Sequence, residues 1–229
     1  MSPEAPRVWV TRAEPGAGRT AARLRELGCQ PIVAPVLKIE RINGVPIDLD
    51  GVAALAFTSI NGVSAFAALS NRRDRPAFCV GDATAEAARQ VGFADVCSAS
   101  GDVEALGRLI AAAELPGMVL APGAEQPAGD LGAYVGGSTP VRRLVVYRTI
   151  ETSVAPPSCD AVLIHSPRAG CVLRPLIEAM PERPFAVAIS PAAARPLADL
   201  LSCAIADRPD ETALLAALLA TLGKPLPPV

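Results

Sequence analysis

Lysine, histidine and aromatic side chains are scarce in this sequence. Of 21 basic residues only Lys38 and Lys224 are lysine, and the formal net charge is −2. Nucleic-acid binders carry a basic excess over a whole domain, so this balance argues against that class. Nearly all positive charge is arginine, the better fork for carboxylates and phosphates, although a compositional bias toward Ala, Arg and Pro accounts for the same count. Aromatics make up 3% of the chain and apolar residues 51%, so any core must be aliphatic and alanine-rich. The six cysteines never form C-x-x-C; they read as small buried thiols of a reducing compartment, not a disulfide frame or a metal site. No run approaches the ~20 apolar residues that cross a bilayer. Arg7 followed by the short run Val8–Val10 does not make a signal peptide. A cytoplasmic protein is expected. His165 is the only histidine, and without a Cys or Asp partner nearby it makes no triad; no metal site is expected.

What is present is a long internal echo. Ala54 to Phe66 reads as a buried strand, a polar turn and the start of a helix, and Ala161 to Leu173 writes the same pattern again. Ser59 corresponds to Ser166, 107 residues later. Arg75-Pro76-Ala77-Phe78 returns as Arg183-Pro184-Phe185-Ala186. Gly81 to Ala85 returns, weakened, as Ser190 to Ala194, and Asp102 with Leu106 and Leu109 returns as Glu211 with Leu215 and Leu218. A period of this length is a domain, not a solenoid repeat.

Strands alternate with helices of about ten residues, which predicts parallel sheets covered on both faces. The spacing predicts strands at 8–11, 30–34, 53–57, 77–80, 95–98, 118–121, 141–150, 161–164, 186–189 and 204–206. Helices are expected at 17–27, 62–69, 84–91, 103–112, 128–135, 170–180, 193–201 and 212–222, with a proline-rich tail from Lys224. The middle copy has five strands and the C-terminal copy three, so the strand-helix-strand of Val8–Ala34 is expected to complete the latter, in the sheet of Ala161–Ile164. One domain is then discontinuous, 1–35 with 151–229, and 43–141 is inserted into it. The crossings 36–42 and 142–150 both alternate apolar and charged residues, as paired exposed strands do. They are expected to form a two-stranded antiparallel linker with a cleft between the domains.

Several motifs admit two readings. Gly16-Ala17-Gly18-Arg19-Thr20-Ala21 fits a dinucleotide or phosphate loop loosely, but four residues separate it from the strand end; a plain glycine-rich helix start is the other reading. His165 stands at the C-terminal end of its strand, where open α/β sheets bind ligands, or is simply a polar strand-end residue. Thr58-Ser59-Ile60-Asn61 and His165-Ser166-Pro167-Arg168 each place hydroxyls and free N–H groups at a helix start, suited to a carboxylate or phosphate or to ordinary capping. Tyr147 on the second crossing strand is either a proton donor or a packed strand aromatic.

Taken together, Val10-Thr11-Arg12, Phe57-Thr58-Ser59-x-Asn61-x-Val63, Val80-Gly81-x-x-Thr84-Ala85, Tyr147-Arg148 and Ser166-Pro167 resemble the uroporphyrinogen-III synthase family over nearly the whole chain. The resemblance implies two flavodoxin-like α/β domains joined by a two-stranded ladder, with the active site in the cleft. It implies cyclisation of hydroxymethylbilane, a linear tetrapyrrole, with inversion of the last ring and loss of water, and without metal or cofactor. Tyr147 is then the acid that helps the hydroxyl depart. Thr11, Arg12, Thr58, Ser59, Asn61, Gly81, Thr84, Ser166, Arg168 and Ser190 are the candidate contacts to the substrate's eight carboxylates. The expected partner is that small polycarboxylate, bound by a monomer, with neither nucleic acid nor membrane. The sequence departs from the family at Ser190-Pro191-Ala192-Ala193, at His165 and at Pro122–Pro127. A homologue that binds a tetrapyrrole or other polyanion without turnover is the alternative.

Overall fold

The computed structural model describes residues 4–127, 129–137 and 139–223. The expected helix start at Ala128 and the tail from Lys224 lie outside them. The chain opens with β1 (Arg7–Val10), α1 (Gly16–Glu26), β2 (Gln30–Val33) and β3 (Leu37–Arg41). It continues through β4 (Val52–Phe57), α2 (Ile60–Leu69), β5 (Ala77–Cys79), α3 (Asp82–Gln90), β6 (Val96–Ser98) and α4 (Val103–Ala112). Then come β7 (Met118–Ala124), α5 (Leu131–Val135) and β8 (Val141–Glu151). The last stretch holds β9 (Ala161–Ile164), α6 (Pro167–Glu178), β10 (Phe185–Ala188), α7 (Pro191–Ala194), β11 (Cys203–Ile205) and α8 (Glu211–Thr221).

The protein is a mixed α/β fold built on parallel sheets, and it clusters into two compact units. One runs to Lys38 and resumes at Ile150; the other is Ile39–Thr149. The first unit carries a five-stranded sheet in the order β11-β10-β9-β1-β2. Strand β1 pairs in parallel with β9, Val8 opposite Ala161 and Val10 opposite Leu163, and with β2 on its other side. The first strand therefore lies in the sheet of Ala161–Ile164. Successive residues of these strands feed opposite faces, as a pleat requires. Trp9, Val162 and Ile164 pack with α6 and α7, whereas Val8, Val10 and Leu163 pack with α1 and α8. The single tryptophan is fully buried, and its indole N–H donates to the Ala34 carbonyl at 2.7 Å.

In the second unit the order is β3-β8-β7-β4-β5-β6. Leu55 and Phe57 face α2 and α3, and Ala54 and Ala56 face α4 and α5. Phe57, Phe66 and Phe93 meet edge to face or tilted, with ring centroids 5.7–6.2 Å apart. Three of the eight aromatics thus meet in one core. Strand β3 runs opposite to β8: the Ile42 N–H donates to the Val146 carbonyl, and Glu40 meets Arg148.

Leaving β3 aside, the two sheets have one order. Replacing β4, β5, β6, β7 and β8 by β9, β10, β11, β1 and β2 turns one into the other. The same layout is entered by the chain at two different points, which is why the echo in sequence is shifted and incomplete. The echo also holds at the helix caps. Ser59 and Ser166 have nearly the same extended backbone (φ −163°, ψ 155° and φ −161°, ψ 156°), and each hydroxyl accepts an N–H three residues on. The capping counterpart of Asp102 is Asp210, not Glu211.

Two expected elements differ. The helix over 193–201 stops at Ala194 and gives way to a single 3₁₀ turn, Arg195–Leu197. Pro196 has no N–H to continue the helix. Strand β7 does not stop at Ala121 but runs through Pro122 and Gly123 to Ala124, paired with β8 and shifted in register at its end.

Candidate active site

The sequence of the second unit builds a cavity at the C-terminal ends of β4 and β7. This is where an open α/β sheet leaves strand carbonyls and helix N-termini facing outward. The cavity measures about 340 Å³, and its polar lining includes Thr58, Ser59, Asn61, Gln126, Arg143 and Tyr147. Four of these, Thr58, Ser59, Asn61 and Tyr147, are residues singled out from the sequence.

Ser59 ends the turn after β4 and caps α2. Its Oγ accepts the Gly62 N–H at 3.1 Å, satisfying one of the donors every helix start leaves open. The same Oγ lies 2.9 Å from the Tyr147 hydroxyl. Tyr147 sits on β8 opposite Ala124, is 7% exposed, and packs with Ala65 and Val146. Its ring is therefore fixed by packing, while its hydroxyl reaches the α2 start. Gly62 completes the arrangement: a Cβ there would come 2.7 Å from the Pro122 carbonyl oxygen. Only glycine lets α2 begin this close to the end of β7.

The other expected residues are placed differently. Gly81 caps α3 without a side chain, and Thr84 is buried in the first turn of that helix. Neither lines the cavity. Thr11, Arg12, Ser166, Arg168 and Ser190 belong to the first unit. Thr11 is fully buried, and its hydroxyl donates to the Leu163 carbonyl at 2.6 Å. It ties β1 to β9 and offers no hydroxyl outward. Ser166 and Ser190 cap α6 and α7, accepting the Ala169 and Ala193 N–H groups. Arg168 is exposed in the first turn of α6.

A polar cluster at the same end of the first unit's sheet was not foreseen. Glu211 receives Arg12 Nη1 at 2.9 Å and lies 3.2 Å from His165 Nε2; the Thr20 hydroxyl donates to its other oxygen. Burial pushes the Glu211 carboxyl up, but the hydrogen bonds of His165 and Thr20 and the charges of His165 and Arg12 outweigh it and bring it to about 2. His165 Nδ1 is buried without a hydrogen-bond partner. Residues 12 and 211 lie 199 apart, so no local pattern announces the contact. Gln126 and Arg143 were missed too; β8 shifts register between Val145 and Tyr147, so strand alternation does not link Arg143 to Tyr147.

The glycine-rich start of α1 does not have the form of a phosphate loop. A carboxylate oxygen of Glu14 accepts the Gly18 N–H at 3.0 Å, so an acidic group already occupies a donor that a phosphate would need. Among the described residues no group of three or more His, Cys, Asp or Glu is placed to hold a metal ion.

The family model described as uroporphyrinogen-III synthase HemD matches residues 18–216. No curated protein matches the chain. Among solved structures, the chain is similar to a uroporphyrinogen-III synthetase from Helicobacter pylori, with a TM-score of 0.68 at 19% identity, covering 95% of this chain and 99% of that one. It is also similar to a mutant uroporphyrinogen III synthase from the extremely thermophilic bacterium Thermus thermophilus, with a TM-score of 0.53 at 17% identity, covering 96% and 99%. At these identities the structural likeness speaks for the fold, whereas the family match spans most of the sequence. The chain belongs to the uroporphyrinogen-III synthase family.

Proposed function

We propose that the chain carries out its family's reaction on hydroxymethylbilane, closing it to uroporphyrinogen III with inversion of the last ring and loss of water. The observation that carries this reading is the Tyr147–Ser59 pair on the wall of a cavity at the start of α2. The substrate hydroxyl leaves from an electron-rich pyrrole and needs only a weak acid, which a phenol supplies. The remaining task is to hold a flexible chain folded so that the substituted carbon of the last ring attacks, and that is catalysis by positioning. At about 340 Å³ the cavity is at the small end of ligand sites. It suits the reacting end of the substrate, not all four rings.

In this reading Thr58 and Asn61, with the free N–H groups of the first turn of α2, bind substrate carboxylates. Arg12, Ser166, Arg168 and Ser190 bind others from the first unit, and Gly81 contributes through its backbone. Thr11 and Thr84 are buried and act by holding strand and helix ends in place. The two units act as flavodoxin-like domains with 36–42 and 142–150 as the linker ladder, and the cleft expected there belongs to the same proposal. The proposal needs no metal or cofactor. It takes the protein as a cytoplasmic monomer binding neither nucleic acid nor membrane; the net charge of −2 speaks against a nucleic-acid partner. Among the described residues no helix is long and apolar enough to cross a membrane. The test is an assay with freshly made hydroxymethylbilane. Type III product above the spontaneous background supports the reading. Type I product alone, with the substrate still bound, supports a non-catalytic binder.

A further inference from the structure

The hydrogen bonding at the start of α2 is asymmetric. A serine hydroxyl has one proton to give and two lone pairs to accept with. One lone pair of Ser59 Oγ is taken by the Gly62 N–H at 3.1 Å. The polar neighbour at the other side is Tyr147 Oη, 2.9 Å away. Two arrangements satisfy that contact. If Tyr147 donates to Ser59, the phenol proton is tied up inside the protein. If Ser59 donates to Tyr147, the phenol proton is released toward the cavity that both residues line.

Two physical effects favour the second. Accepting a hydrogen bond from a backbone N–H draws electron density from the serine oxygen and makes its own O–H a better donor. The positive end of α2 adds to this, because it opposes a further donor aimed at Oγ and favours one leaving it. Gly62 supplies the N–H and also permits the close approach to the Pro122 carbonyl, so the helix start is held against the cavity wall. We propose that Ser59 is a positioning residue: it donates to Tyr147 Oη and thereby turns the phenol proton toward the substrate's hydroxyl. This rests on the reading of Tyr147 as the acid.

In that step the Tyr147 proton passes to the substrate hydroxyl, the C–O bond breaks with its electron pair, and water leaves. The pyrrole nitrogen lone pair fills the vacated carbon. The substituted carbon of the last ring carries no hydrogen; when it attacks it becomes a spiro centre, its bond to the bridging carbon of the preceding ring then breaks, and the free α-carbon of the last ring takes up that bridging carbon. The phenolate, held by the Ser59 O–H, recovers a proton when this free α-carbon loses its hydrogen and the ring becomes aromatic again.

The experiment must separate this role from helix capping. Alanine at position 59 removes both functions, whereas glycine is nearly as good an N-cap as serine. Ser59→Gly therefore removes the hydroxyl and leaves the helix start. Expected results are a kcat for type III formation about tenfold lower, the worth of one oriented hydrogen bond, an unchanged KM, and recovery by Ser59→Thr, which restores the hydroxyl. In a Tyr147→Phe background, Ser59→Gly should cost nothing further, because the group it positions is gone. A Ser59→Gly enzyme with native kcat, or one whose loss falls in KM, overturns the proposal. So does an undiminished effect of Ser59→Gly in the Tyr147→Phe background. If Tyr147→Phe alone keeps full turnover, it is the acid role of Tyr147 that fails, which is a separate and recognisable outcome.

Discussion

Replacing Glu211 by glutamine should destabilise the first unit, and the loss should depend on pH. Glu211 is the acceptor for Arg12, Thr20 and His165, and its side chain is 21% exposed. Glutamine keeps one carbonyl oxygen but presents an NH₂ where a second donor already points. The carboxyl is held at about 2 against an ordinary value of 4.5. A depressed carboxyl stabilises the fold above its unfolded pKa, and that stabilisation is lost as pH falls through the window from about 4.5 to about 2. The full difference corresponds to about 3 kcal/mol, an upper figure because Arg12 is 33% exposed and solvent screens its share. The wild-type advantage over Glu211→Gln should shrink by about 1.4 kcal/mol between pH 5.5 and pH 3.5, since by then the unfolded carboxyl is mostly protonated and the folded one is not. Trp9 is the only tryptophan and lies buried in the first unit, so urea unfolding followed by its fluorescence reads this unit directly. An advantage equal at both pH values would refute the reasoning and leave Glu211 as a residue that merely fills space.

Much of the architecture was legible because apolar runs of four to six residues alternated with helical stretches. The placement of Val8–Val10 beside Ala161–Leu163 followed from counting strands, since a copy short of two strands must find them elsewhere. The serine caps were legible because strand, polar turn and helix recur around Ser59 and Ser166. The end of β7 was not. Proline and glycine ordinarily close a strand, yet Pro122 and Gly123 continue it because β8 supplies a full partner on that side, and that partner lies some twenty residues on. The over-long helix after Ser190 is a different failure. Residues 193–201 carry the apolar periodicity of a helix, but Pro196 lacks the N–H that would continue one. The echo of Asp102 in Glu211 was displaced by one residue because both positions are acidic in Asp210-Glu211. That acidic pair divides the labour: Asp210 caps α8 and leaves Glu211 free to meet Arg12, Thr20 and His165. The pairing of Ser59 with Tyr147 brings together residues 88 apart, and only the packing of β8 beside β7 places them together.

The remaining predictions concern the cavity and its supports. Tyr147→Phe should slow type III formation at the low end of the 10²–10⁴-fold range of general-acid catalysis, because the bilane also cyclises unaided, and should leave KM nearly unchanged; steady-state kinetics check this. Thr11→Val should cost about 1–3 kcal/mol in urea unfolding by leaving the buried Leu163 carbonyl short of a donor, with no loss of kcat beyond the loss of folded enzyme. Thr84→Ala, buried in α3 and away from the cavity, should change stability more than KM, and a KM effect without a stability effect would return it to the substrate's contacts. Gly62→Ala sets two opposed effects against each other. Alanine gains about 1 kcal/mol of helix propensity over glycine. Its Cβ would stand 2.7 Å from the Pro122 carbonyl oxygen, a backbone atom that cannot swing aside, and such overpacking costs about 1–3 kcal/mol. The net should be a loss of about 0–2 kcal/mol, with α2 displaced from β7 to relieve the clash. Displacement moves Ser59 from Tyr147, so kcat should fall even where urea unfolding shows little change. A Gly62→Ala protein that is more stable than wild type with undiminished kcat would mean that the α2 start tolerates the methyl group. The close approach of helix and strand would then have no part in aiming the phenol.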